Sequence, residues 1–287
     1  MQKRYLFLMV FFVFYSVSLI QARKKYPICV KELERKKTYY ESLKKWQPKN
    51  CFVANAIKDI AYLHKELFTW DTFKTVGTIF PIYMGTRMLD ETIQSSFYHG
   101  HCIYGCHQDR NQLPEWVVKI AQYSIVPPIF VMFGSLFVAK TEEFRTTSWL
   151  FLLGMPFVIF GKDVLKKIQF DAAQRPWRQK FCGHERAMGG FPSGHVAQAT
   201  YLTALYGMRY GARFAGILAA STLFLTVSFL NCNRHYPSQM VGGAGIGVIF
   251  AYAANKVIDY KIGGDSLKLG LDTTLGGDPA VSVGWHF

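Results

Sequence analysis

Residues Gly189 to Gln198 read GGFPSGHVAQ, a glycine-rich loop that turns into an apolar helix with a hydroxyl, Ser193, and an imidazole, His195, at its start. The leading N–H groups of a helix have no partner within it and carry the positive end of its dipole, so Ser193 and Gly194 at such a start can cradle a phosphate. His195 adds the one common side chain that exchanges a proton near neutral pH. Ser193 as an ordinary N-cap and His195 as a satisfied core residue is the other reading of the same stretch.

Two more segments carry matching chemistry. KKIQFDAAQRPW places Lys166 and Lys167 at the end of an apolar helix, with Arg175-Pro176 in the loop beyond it. SFLNCNRHYPSQMVGG places Arg234 and His235 between two long apolar helices. In an up-and-down bundle, the helix ends at Lys167, Gly194 and His235 fall on one face. Guanidinium groups, helix amides and two imidazoles would then meet. That set can hold a phosphate while one imidazole attacks phosphorus and the other protonates the leaving oxygen.

On these residues the chain resembles the type 2 phosphatidic acid phosphatase and vanadium haloperoxidase superfamily. Its three motifs are a Lys followed about seven residues on by Arg-Pro, then Pro-Ser-Gly-His, then Ser-Arg followed by His and Asp. FPSGH (Phe191 to His195) matches the second motif, RHYPSQMVGG has the look of the third, and the resemblance runs from about Met88 to Asp259. It implies an all-α helical bundle, membrane-embedded or membrane-associated. It also implies a phosphatase acting on a phosphomonoester or diphosphate, of a lipid or of a small phosphate ester, through a phosphohistidine. Carried over by position, His235 is the nucleophile and His195 the acid. Lys167, Arg175, Ser193 and the Gly194 amide hold the phosphate, and neither metal nor cofactor is called for. Lys167 stands one residue too far from Arg175 for the first motif.

The third motif departs twice. Phe229 stands where an Arg is expected six residues before His235, and Gln239 where an Asp should orient the imidazole. Losing the Arg removes a charge-assisted contact of about 1.5–3 kcal/mol. Gln239 keeps an acceptor for the ring N–H but not the negative charge that stabilises an imidazolium. Arg234 offers a guanidinium from another direction. The alternative to an enzyme is therefore a weakened or inactive relative that binds phosphate or lipid, or is structural in a membrane. Haloperoxidase chemistry is a third reading.

The elements that must position these residues are apolar. The chain has 287 residues, half of them hydrophobic and 16% aromatic, which calls for a large helical core. Uncharged windows at Ala121 to Ala139, Phe214 to Asn233 and Tyr236 to Asn255 approach the length that spans a bilayer, whereas Thr146 to Gly161 and Val196 to Met208 are marginal. Net charge is +14, with ten Lys/Arg against three Asp/Glu between Arg23 and Lys49. That basic stretch suits a solvated or membrane-surface helix; no base-reading scaffold accompanies it, so nucleic acid is not an expected partner.

Lys3 and Arg4 before an uncharged run to Ala22 form a signal peptide or N-terminal anchor. The expected domains are that segment (1–22), a basic polar helical segment (23–70), the phosphatase-like core (71–260) and a C-terminal β-hairpin (261–287). The hairpin is read from alternating Leu267, Leu269, Leu271 and Val281, Val283, Trp285 about a GGDP turn. Export, to a bacterial-type envelope as a membrane or periplasmic protein, would oxidise cysteines. Cys182 and Cys232, each in a loop beside the pocket, are the candidate disulfide. His99, His101, Cys102, Cys106 and His107 bunch together, but without the second ligand pair of a zinc site.

Overall fold

The computed structural model of the chain describes residues 52–97, 113–168, 170–176, 180–181, 184–185, 188–263, 269–273 and 279–283. The expected signal at 1–22, the basic stretch as far as residue 51, the His99 to His107 cluster and Cys182 lie outside the described residues. The core is helical: α1 (Phe52–Leu67), α2 (Trp70–Met88), α3 (Asp90–Phe97), α4 (Glu115–Tyr123), α5 (Val126–Val138), α6 (Glu142–Lys167), α7 (Gly194–Tyr210), α8 (Ala212–Asn231) and α9 (Pro237–Gly263). The all-α expectation holds. Outside the helices lie two short antiparallel strand pairs, Lys180–Phe181 with His184–Glu185 and Leu269–Thr273 with Pro279–Val283. A C-terminal hairpin over 261–287 is not supported, because the last helix runs on to Gly263 and most residues after it lie outside the described ones. An alternating pattern needs a partner surface before it becomes a stable ribbon.

Local chemistry sets the helix ends. Thr141 caps α6 through its side chain, which accepts from Phe144 N at 3.4 Å, and Glu142 and Glu143 against Lys166 and Lys167 match the dipole at its two ends. α7 stops at Gly211, where φ is +81°, a conformation open to glycine, and the chain reverses into α8. α1, expected within a polar segment, instead packs on the core and buries Leu63 completely.

The centre of the bundle is the α7/α9 pair. A Cβ at Gly243 would collide with the Ser193 carbonyl and one at Gly247 with that of Ala197, so two glycines four residues apart let the backbones touch. α6 packs on the other side of α7, where Gly154 makes room for the Tyr201 ring and the Tyr201 hydroxyl donates to Leu150 O at 2.8 Å.

The helices run between two common ends. At one, α6 finishes with Lys167, α7 begins, α8 finishes and α9 begins; Ser193 N donates to Gln239 O at 3.0 Å and Asp90 accepts from Ser238 N at 2.8 Å. At the other, Arg209 meets Asp259 at 2.7 Å, Lys256 meets Asp71 at 2.5 Å and Lys261 meets Asp59 at 2.6 Å. Four helical stretches are long and apolar enough to cross a membrane: Trp116–Val138, Glu142–Lys167, Ala212–Asn231 and Pro237–Ile262. The second contains the marginal Thr146 to Gly161 run, because the helix continues into charged turns that an uncharged window leaves out. Phe130, Phe137, Phe160 and Ile217 stand exposed on these stretches, an outward apolar surface suited to lipid.

Candidate functional site

The Pro-Ser-Gly-His stretch opens α7, but Ser193 is not an ordinary side-chain cap. It is the N-cap residue by backbone, with its carbonyl accepting from Ala197 N at 3.0 Å. Its hydroxyl is fully buried and has no hydrogen-bond partner among the described residues. A buried hydroxyl without a partner among the described residues, beside the leading amides of a helix, can take an added acceptor, the oxygen of a water or of an anion. A Cβ at Gly194 would collide with the Lys162 stem, so the glycine lets that lysine cross the start of α7.

The end of α8 shapes the second wall. Asn233 adopts φ +53°, and the bonds from Arg234 N to Phe229 O and from Asn233 N to Leu230 O, both 3.0 Å, form a Schellman ending. That motif folds the residue two beyond the cap onto the one three before the end. Here it lays Arg234 on Phe229, with the guanidinium carbon 5.2 Å from the ring centroid. The next residue is His235, which is buried, and its ring lies 6.1 Å from that of Phe229 and nearly parallel to it. His195 meets the same Phe229 ring edge-on at 5.2 Å. Both imidazoles thus flank the side chain that occupies the expected arginine position.

Gln239 sits at the third position of α9, after Pro237, and its Oε1 accepts from the Tyr236 backbone N–H at 3.1 Å, one half of a capping box. The same oxygen lies 3.2 Å from His235 Nδ1. Its Nε2 donates to Ala172 O at 3.0 Å and to Gln174 O at 2.6 Å, so two backbone carbonyls decide which end of the amide is nitrogen. Oε1 therefore faces His235, Nδ1 carries the proton, and Nε2 keeps its lone pair. Gly190 is required here, since any Cβ would collide with the Gln239 amide.

Arg175 braces the two loops: its Nη1 donates to Arg234 O at 2.7 Å and its Nη2 to Gly189 O at 3.1 Å. Burial above all, then the charges of Lys166, Arg234 and Lys162, hold His195 down at about 4. Burial also holds His235 well below the usual imidazole range, with Arg175, Lys166 and His195 adding to the effect and the Gln239 hydrogen bond opposing it. Both imidazoles are neutral near pH 7 in a surrounding of fixed positive charge. An arriving phosphate dianion would cancel that charge and raise both basicities.

The structure brings together His195, His235, Arg175, Ser193, Gly194, Arg234 and Gln239. It leaves Lys167 exposed, while Lys166 acts on both histidines and Lys162 on His195. Those two lysines, four apart, share one side of α6, and that spacing was the signal available in the sequence. Phe229 as a shared platform had no local signal. Cys232 is buried, which pushes its thiol up to about 11.

The family model of the PAP2 superfamily matches residues 147–262, the stretch holding α7, α8, α9 and every site residue named above. No curated protein matches the chain significantly, and neither does any solved structure.

Proposed function

From the match of residues 147–262 to the family model of the PAP2 superfamily, which supports phosphatase-type activity, we propose that the chain hydrolyses a phosphomonoester or diphosphate of a lipid through a phosphohistidine. The observation that carries the reading is the convergence of His195 and His235 on one buried ring, ringed by Lys162, Lys166, Arg175 and Arg234. His235 Nε2 attacks phosphorus and forms a P–N bond as the P–O bond to the alcohol breaks. His195, protonated once the charge of the bound phosphate has raised its basicity, gives that proton to the leaving oxygen and returns to the neutral imidazole. Water then attacks phosphorus, gives its proton to His195, and the P–N bond breaks to release phosphate. The α7 amides, Ser193 Oγ and the surrounding cations hold the equatorial oxygens.

A lipid substrate is supported by the apolar exposed surfaces beside the site, where Phe170, Ile168 and Val164 stand open to the surroundings, and by the span-length helices. Export to a cell envelope is part of the same proposal. The neutral Gln239 and the displaced guanidinium favour a second reading, a weakened member that binds phosphate without turning it over.

Purified full-length chain in detergent, incubated with ³²P-labelled phosphatidate, a labelled isoprenyl diphosphate and p-nitrophenyl phosphate, separates the two. Turnover with acid-labile label retained by His195→Ala and lost in His235→Ala is the expected result. Vanadate binding without phosphate release from any of the three would select the binding reading.

A further inference from the structure

Arg234 is held by two side chains outside the family's motifs. Its guanidinium carbon lies over the Phe229 ring, and its Nη1 donates to Gln122 Oε1 at 2.9 Å. Gln122 belongs to α4, more than a hundred residues away in sequence, and is the one amide in the uncharged stretch from Ala121 to Ala139. An amide in a membrane-length apolar segment is costly unless it is bonded, so its place against Arg234 is a specific pairing rather than a solvated surface contact.

Both anchors are neutral. A carboxylate at position 122 would also hold the guanidinium, but would cancel the charge that an anion is attracted to. An amide on one edge and a ring face beneath fix the plane, and neither of these two cancels the charge. We propose that Gln122, together with Phe229, is a positioning residue that sets Arg234 as the anion-facing cation of this site, replacing a guanidinium at position 229 by one delivered from the turn after α8. The proposal rests on the phosphate reading above. The charge of Arg234 is felt at His195, which agrees with this placement.

The test uses the full-length chain and orthovanadate as the probe, with phosphate release from p-nitrophenyl phosphate measured alongside. Gln122→Glu keeps an acceptor of the same length, so it should fold with a thermal midpoint close to that of the parent. It should nevertheless bind vanadate roughly tenfold or more weaker, because the guanidinium is neutralised. Gln122→Leu should weaken vanadate binding in the same direction. The double change Phe229→Arg with Arg234→Ala should recover binding that Arg234→Ala alone loses.

A Gln122→Glu protein that binds vanadate as tightly as the parent would show that Gln122 only ties α4 to the bundle, and would overturn the inference; this arm decides even where Gln122→Leu does not fold. If the unaltered chain neither binds vanadate nor releases phosphate, the phosphate reading itself falls, and this inference falls with it.

Discussion

Gln239 Oε1 lies 3.2 Å from Nδ1 of His235, while the amide nitrogen of the same side chain is committed to the carbonyls of Ala172 and Gln174. A neutral residue thus sets the tautomer of the candidate nucleophile by being locked from behind. A carboxylate there would bring charge, but it would lose both backbone bonds and face two carbonyl oxygens.

Gln239→Glu should therefore not act as a simple gain of the missing acid. At neutral pH it leaves two buried carbonyls facing a carboxylate, at a cost of about 1–3 kcal/mol. Chemical denaturation should show the loss, and phosphate release should fall with it. A variant at least as stable as the parent would mean that the loop at Ala172 to Gln174 is not held by this amide.

The depressed imidazoles make stability depend on pH. In the unfolded chain His195 protonates near 6.5, and in the folded chain only at about 4, so the unfolded state binds more protons between these values. The contribution is complete above about pH 6.5 and is lost as pH falls toward 4, with a slope of at most about 1.4 kcal/mol per pH unit for each titrating group. His235 shifts in the same direction and extends the loss further down. Denaturation midpoints measured across this range should decline toward acid, and less steeply with phosphate bound. A flat profile in the ligand-free protein would count against neutral buried histidines.

Lys166 acts on both histidines and Lys167 is exposed, so the two neighbours should behave differently. Removing a cation favours protonated imidazole. Lys166→Met should therefore move the alkaline limb of kcat/KM to higher pH, and Lys167→Met should move it less. Equal shifts would return Lys167 to the role that its position in the first motif implies.

Cys232 is buried beside the motif loop, and Arg175 already ties that loop to the one leading into α7. A bridge from Cys182 would close a loop of roughly fifty residues and contribute about 4 kcal/mol in the chain-entropy model. In the structure Cys232 is a thiol and not a bridged half-cystine, so the bridge is expected only where export oxidises it: peptide mapping without reduction should then find Cys182 and Cys232 joined in protein from its native compartment. An alkylatable Cys182 would refute the bridge and weaken the case that this face looks outward.

Much of this molecule is written locally. The Pro-Ser-Gly-His helix start, the order of the three segments and the apolar lengths between them arise from caps, dipoles and hydrophobic runs, which short stretches of chain carry by themselves. The alternating C-terminal residues were a local signal too: Leu269–Thr273 and Pro279–Val283 pair antiparallel, but a two-stranded ribbon needs a surface to lie on before it is stable.

Contacts between residues far apart in the chain decide the rest. The choice of Lys166 and Lys162 over Lys167 is made by the rotation of α6 against α7. Gln239 has its amide turned by carbonyls more than sixty residues earlier. Phe229 and Arg234 read separately as a lost arginine and a loop charge. The Schellman turn after α8 stacks them, the α7/α9 approach allowed by Gly243 and Gly247 brings His195 to the same ring, and Gln122 arrives from another helix to hold the guanidinium. Such distances are set by close packing of whole helices, and no sequence window contains them.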